Sequence, residues 1–112
     1  MKAVHVDLSK STARAEAGLT WDEYNHETQA FGLASTGGVV SHTGVSGLTL
    51  GGGLGWLMGK HGLTCDTLLS ANIVTADGKF LTASPTENPG LFWGLRGGSG
   101  NCGVVTSFEF QL

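Results

Sequence analysis

Bare backbone and hydroxyl groups, more than paired acids or metal-binding side chains, are the chemical resource of this chain. From Gly44 to Gly62 it carries Gly44, Gly47, Gly51, Gly52, Gly53, Gly55, Gly59 and Gly62. Just before them, Ser41, His42 and Thr43 supply two hydroxyls and an imidazole ahead of a turn. A glycine inside a helix costs roughly 1 kcal/mol relative to alanine. A dense run is therefore kept where another backbone, or a ligand needing amide donors and no Cβ in the way, comes close. The apolar residues between the glycines (Val45, Leu48, Leu50, Leu54, Trp56, Leu57 and Met58) read as core, which a flexible linker would not carry. Together these residues suit the cradling of a phosphorylated or planar cofactor.

Other chemistries find less support. No pair among His5, His26, His42 and His61 has metal-ligand spacing, so no metal is expected. His5 and His26 read as surface residues. His61 reads as a helix C-terminal residue favoured by the dipole. His42 adjoins the Thr43-Gly44 turn, where it either touches a cofactor or is structural. Ser41, His42 and Asp66 lack the nucleophile elbow of a hydrolase. The carboxylates show no pairing for acid-base work, so no catalytic residue is assigned. Gly98-Ser-Gly-Asn-Cys-Gly103 spells the dinucleotide fingerprint, but that motif needs a strand before it and a helix after it. Here the order is reversed. The segment reads as a glycine loop turning a helix into a strand, with a ligand passing close.

With 112 residues the chain forms one domain, able to bury about two-thirds of its unfolded surface. A formal charge of -3 with 6 Lys+Arg argues against a nucleic-acid partner. No apolar run approaches the ~20 residues that span a bilayer, and no signal-peptide pattern opens the chain, so no membrane partner is expected. Cys65 and Cys102 either pair in an oxidising compartment or, on the preferred reading, are buried free thiols of a cytoplasmic protein.

The elements that would position these residues are legible from pattern. Val4, Val6 and Leu8 alternate with His5 and Asp7, and Ala13, Ala15 and Ala17 with Arg14 and Glu16, predicting two strands joined through Ser9-Lys10-Ser11. Thr20 and Glu23 form a capping-box pattern opening a helix from Trp21 to about Phe31, with Trp21, Tyr24 and Phe31 on its apolar face and Gly32 ending it. Leu50, Leu54, Leu57 and Met58 lie at helical spacing and predict a helix from about Thr49 to His61. Ser70–Ala76 and Lys79–Ser84 form a hairpin across Asp77-Gly78. Asn88 and Pro89 cap a helix over 90–96. In the last run, Val104–Leu112, the residues Val104, Thr106, Phe108, Phe110 and Leu112 share the buried face. The expected fold is α+β: a mostly antiparallel sheet of about five strands with two or three helices on one side.

Thr43 to Asp66 (TGVSGLTLGGGLGWLMGKHGLTCD) resembles the central flavin-binding segment of the FAD-linked oxidases, the vanillyl-alcohol-oxidase and berberine-bridge-enzyme-like superfamily. The resemblance continues through Glu87–Thr106. It implies FAD as cofactor, held through Ser41, His42, Thr43, Gly44, Gly47, Gly53 and Gly55, with its adenine end near Gly103, Val104 and Val105. It also implies that residues 1–112 are the second subdomain of a PCMH-type FAD-binding domain. A pyrophosphate-loop subdomain would then precede Met1, and a substrate domain with its catalytic base would follow Leu112. Relatives that tether flavin through a second, cysteine bond carry that cysteine where Val40 stands, so FAD is expected to be non-covalent in this chain. Two functions remain open. One is the FAD-binding portion of an oxidoreductase, without turnover alone and partnered by a second copy or a complementing chain. The other is a stand-alone, non-catalytic oligomeric or binding module that keeps the fold without flavin.

Overall fold

The computed structural model describes residues 1–112. Five strands, β1 (Val4–Asp7), β2 (Thr12–Glu16), β3 (Leu68–Val74), β4 (Phe80–Ala83) and β5 (Val104–Gln111), form one sheet in the order β1-β2-β5-β3-β4, antiparallel throughout. The helices are α1 (Trp21–Gln29), α2 (Val45–Leu50), α3 (Met58–His61) and α4 (Pro89–Leu95). The expected α+β architecture is therefore present. The first hairpin turns at Ser9–Ser11, where Asp7 Oδ1 accepts the Ser9 amide at 3.0 Å. The second turns at Asp77-Gly78, with Gly78 at φ +81° and the Thr75 amide donating to the Lys79 carbonyl.

Register puts one apolar set on one face of the sheet. Ala13 and Ala15 pair with Phe110 and Phe108, Leu68 and Ala71 with the same two phenylalanines, and Ile73 with Val105. Trp21 and Tyr24 of α1, Val45 and Leu50 of α2, and Phe92 and Leu95 of α4 close over that face in a single core. Aromatic edges meet within it: Trp21 to Tyr24 at 5.3 Å and Tyr24 to Phe110 at 5.6 Å between ring centres. Such pairs contribute about 0.5–1.5 kcal/mol beyond burial. The opposite face is polar, with Ser107 Oγ accepting from Arg14 Nη2 and Asn72 Nδ2, each at 3.2 Å.

α1 starts as its sequence dictates. The Glu23 amide donates to Thr20 Oγ1 and the Thr20 amide to Glu23 Oε2 at 2.9 Å, a complete capping box. The helix stops at Gln29, so Phe31 falls in the turn before Gly32 and is exposed instead of joining the apolar face. Asn88 precedes Pro89 as expected but does not cap α4. It sits at φ +51°, and its side chain donates to the Thr82 carbonyl at 2.8 Å instead.

The larger departure lies in the glycine run. The single helix expected over Thr49–His61 is replaced by two short ones, α2 and α3, which is why there are four helices. Gly52 and Gly53 take φ values of +111° and +87°, conformations a helix cannot contain. With the helix broken, Leu54, Trp56, Leu57 and Met58, read as core, are exposed, Trp56 by 88%. The last strand also differs. Thr106 is an extra residue between the pairs Ile73–Val105 and Asn72–Ser107, a bulge that resets the alternation. Val105 therefore turns into the core, 5% exposed, and Val104 turns out, 68% exposed, the reverse of the expected faces.

Candidate functional site

The segment 41–46 is built against the start of α1. The amides of Asp22 and Trp21 donate to the carbonyls of Ser41 and Thr43 at 2.9 and 3.0 Å, Gly44 bridges Thr20, and the Val45 amide donates to the Leu19 carbonyl at 2.9 Å. Ser46 Oγ then donates to the Ala17 carbonyl at 2.7 Å. This ladder spends the first amides of α1 and fixes the backbone of Ser41, His42 and Thr43 while leaving the His42 side chain exposed. Gly44, the residue before α2, has no side chain to cap that helix, and the amides of Ser46 and Gly47 have no acceptor in the chain.

Beside this ladder opens a cleft of about 610 Å³. Ser46 and Leu50 of α2 form one wall, and Gly100, Gly103, Val104 and Val105 form the other, with Ala17 and Gly18 at its end. The Thr106 bulge is what presents Val104 to the cleft. Gly103, at φ +141°, gives the turn from the 3-10 turn Ser99–Cys102 into β5, and a Cβ there would lie 2.6 Å from the Val74 carbonyl oxygen. The G-x-G-x-x-G segment is thus a loop from helix to strand, as its context indicated.

The predicted site residues separate into two groups. Val104 and Val105 line the cleft, and Ser41, His42, Thr43, Gly44 and Gly47 occupy the ladder and helix start next to it. A Cβ on Gly44 or Gly47 would meet nothing within 4 Å, so the backbone there is open to an incoming group. Gly53 and Gly55 are glycine for a different reason. A side chain on Gly53 would collide with Thr64, and one on Gly55 with the Gly37 carbonyl. They lock the chain against itself, and the residues that follow Gly55, Trp56 and Leu57, line a separate pocket of about 310 Å³ with Gly37 and Gly38. Sequence reasoning missed Ser46, Leu50, Ala17 and Gly18. Ser46 was findable, since it stands inside the Thr43–Gly47 motif; Ala17 and Gly18 carried no local signal.

His61 ends α3 and is exposed, and Asp66 makes structural bonds, its Oδ2 accepting the Leu63 amide at 2.9 Å. No group of three or more His, Cys, Asp or Glu side chains gathers to hold a metal. No helix is long and apolar enough to cross a membrane. Both cysteines are free, Cys65 buried and Cys102 half-buried, and burial pushes the Cys65 thiol above its usual range, with the neighbouring Asp66 charge adding to the effect.

An FAD binding domain family matches residues 1–84 of the chain, three-quarters of its length. The chain belongs to that family. FAD is accordingly its cofactor, and the chain corresponds to part of an FAD-binding domain. It is 45% identical over its whole length to the FAD-linked oxidoreductase pgmH of Aspergillus terreus, spanning 23% of that protein. The crystal structure of a 6-hydroxy-D-nicotine oxidase from Arthrobacter nicotinovorans superposes on 98% of the chain with a TM-score of 0.95 and 41% identity, over 24% of its own length. A berberine-bridge-enzyme-like protein, BBE-like 1 of Physcomitrella patens, does so with a TM-score of 0.93 and 31% identity, again over 24% of its length. The chain thus spans about a quarter of the length of the relatives it matches, and the resemblance to FAD-linked, berberine-bridge-like oxidases holds along it. The residues present fit FAD. Open glycine backbone at Gly44 and Gly47 leaves room for a phosphorylated group, and the exposed Val104 offers an apolar face to a planar ring.

Proposed function

We propose that this chain forms one wall of the FAD site of an oxidoreductase of the oxidase type, and that it does not turn over substrate by itself. The observation that carries this reading is the 610 Å³ cleft, in which the bulge-exposed Val104 faces Ser46 and Leu50 of α2. The adenine end of FAD lies against Val104 and Val105. The free amides of Ser46 and Gly47, with Thr43 and Gly44, receive the polar linker, and His42 lies toward the flavin end. Bound FAD would supply the redox chemistry, while the protein contributes orientation and exclusion of water. The chain holds FAD without a covalent bond, since no cysteine occurs among residues 38–47 and Cys65 and Cys102 lie elsewhere.

A second copy or a complementing chain completes the site. The exposed Leu54, Trp56, Leu57 and Met58 support that reading, because monomeric proteins rarely leave apolar patches beyond a few hundred Å² uncovered. The free thiols of Cys65 and Cys102 support a cytoplasmic location.

Titration with FAD, followed by quenching of flavin fluorescence, tests the site. Gly44→Val places branched carbon where the structure is open, at φ −68°, which valine tolerates, so binding is expected to vanish while the circular dichroism stays that of the parent. An unchanged titration would move the site elsewhere. Failure of the parent to bind any FAD would favour a module that has kept the fold without flavin.

A further inference from the structure

Arg96 stands at the end of α4, directly before Gly97, whose φ of +115° turns the chain into the loop lining the cleft. Its guanidinium is engaged on three sides. Nε donates to the Cys65 carbonyl at 3.1 Å, Nη2 donates to Asp66 Oδ1 at 3.2 Å, and the group lies 5.5 Å from the centre of the Phe92 ring. Asp66 is held in turn by the Leu63 amide. The short turn carrying Cys65 and Asp66 is fastened to the glycine run, the amides of Thr64 and Cys65 donating to the carbonyls of Gly53 and Gly52 at 3.0 and 2.9 Å. Back on the other side, the Gly97 amide donates to the Leu50 carbonyl at 3.0 Å.

These contacts close a ring: from the end of α2 through Gly52 and Gly53 to Asp66, across the guanidinium, and back through Gly97 to Leu50. Both walls of the cleft spring from it, since Leu50 belongs to one and the loop of Gly100 and Gly103 to the other. We propose that Arg96 is a positioning residue that sets the separation of these walls, and with it the grip on the adenine end of FAD, without touching the ligand. This rests on the reading that the cleft holds that end. The loop keeps independent anchors, the Gly98 amide on the Gly94 carbonyl and the Gly97 amide on Leu50. Removing the guanidinium therefore leaves the two walls joined at the Gly97–Leu50 bond alone, free to pivot about it, without unravelling the chain. Arginine is required because its planar fork serves two acceptors at once, where a lysine ammonium is a single point charge.

The test is isothermal titration of the chain and of Arg96→Gln, Arg96→Lys and Asp66→Asn with FAD, AMP and riboflavin, with a thermal melt of each. Arg96→Gln is expected to bind FAD and AMP about tenfold more weakly, through the loosened wall spacing. Riboflavin, which lacks the adenine half, is expected to bind as before. Arg96→Lys should fall between the two, and Asp66→Asn should reproduce the AMP loss, which keeps the test open if Arg96→Gln does not fold. AMP affinity unchanged in all three variants overturns the clamp. A loss shared equally by riboflavin does so too, because it reports general loosening. If the parent binds none of the three ligands, the cleft reading itself falls and takes the clamp with it. A parent that binds AMP, with variants that match it, removes the clamp alone.

Discussion

Replacing a single hydrogen by methyl at two glycines should move stability in opposite directions, and only one of the two changes should do so at the expense of the ligand. Gly47 is the third residue of α2, has an ordinary helical backbone, and has open space where a Cβ would go. Gly47→Ala therefore removes backbone freedom from the unfolded chain with no clash, a gain of about 0.5–1 kcal/mol. An entropy of unfolding of about 2.1 cal/mol/K per residue gives about 0.24 kcal/mol/K for 112 residues, so the melting temperature should rise by about 2–4 °C. Gly55 is buried with the Gly37 carbonyl directly in the path of its Cβ, and backbone cannot yield as a flexible side chain does. Gly55→Ala should cost about 1–3 kcal/mol, the range for overpacking, and lower the melting temperature by about 4–12 °C. Differential scanning calorimetry gives both shifts, and FAD titration of Gly47→Ala completes the comparison. Alanine at 47 should weaken FAD binding at least about tenfold, the equivalent of roughly 1.4 kcal/mol. A chain stabilised at 47 that binds FAD as well as the parent would refute the claim that this glycine is kept for the ligand. A neutral Gly55→Ala would refute the packing account of the glycine run.

Burial pushes the Tyr24 phenol up to about 12, against an ordinary value near 10, with the hydroxyl of Ser35 3.0 Å away. The folded state therefore holds its proton more tightly than the unfolded one. This stability is complete below about pH 10 and is lost as pH rises toward 12, a fall of about 2–3 kcal/mol. Urea denaturation at stepped alkaline pH should show that decline in the parent and its absence in Tyr24→Phe, which at neutral pH loses about 1 kcal/mol with the hydrogen bond. Val104→Asp should leave the melting temperature unchanged, because the side chain is exposed, yet weaken FAD binding at least about tenfold by setting a carboxylate against an apolar ring. Equal FAD affinity in that variant would place the adenine end off β5.

Elements set by local chemistry were legible: the Thr20–Glu23 capping box, the Asp77-Gly78 hairpin, and the alternation of Ala13 and Ala15. What stayed hidden depends on contacts between distant residues. The spacing of Leu50, Leu54, Leu57 and Met58 is helical, but the Gly55–Gly37 contact and the positive φ of Gly52 and Gly53 override it, and no local pattern reports them. The Thr106 bulge is likewise a matter of pairing with β3, so strict alternation assigned Val104 and Val105 to the wrong faces. For the site, Ser46 of the motif and the valines at 104–105 line one cleft, with Gly44 and Gly47 flanking Ser46 along the chain. Gly53 and Gly55 belong to the same motif by sequence but stand apart in space.

The bulge at Thr106 divides β5 into two stretches under separate constraints. From Ser107 onward, alternate positions answer to the core, where Phe108 and Phe110 tolerate little change in volume. Before it the parity is shifted by one, so that Val104 answers to whatever occupies the cleft while its neighbour Val105 secures the strand. A substitution at 104 can thus retune recognition without repacking a single aromatic ring. Deleting residue 106 would remove the extra residue and join the two stretches in one continuous register, with Val105 still opposite Ile73 and Val104 still opposite Val74.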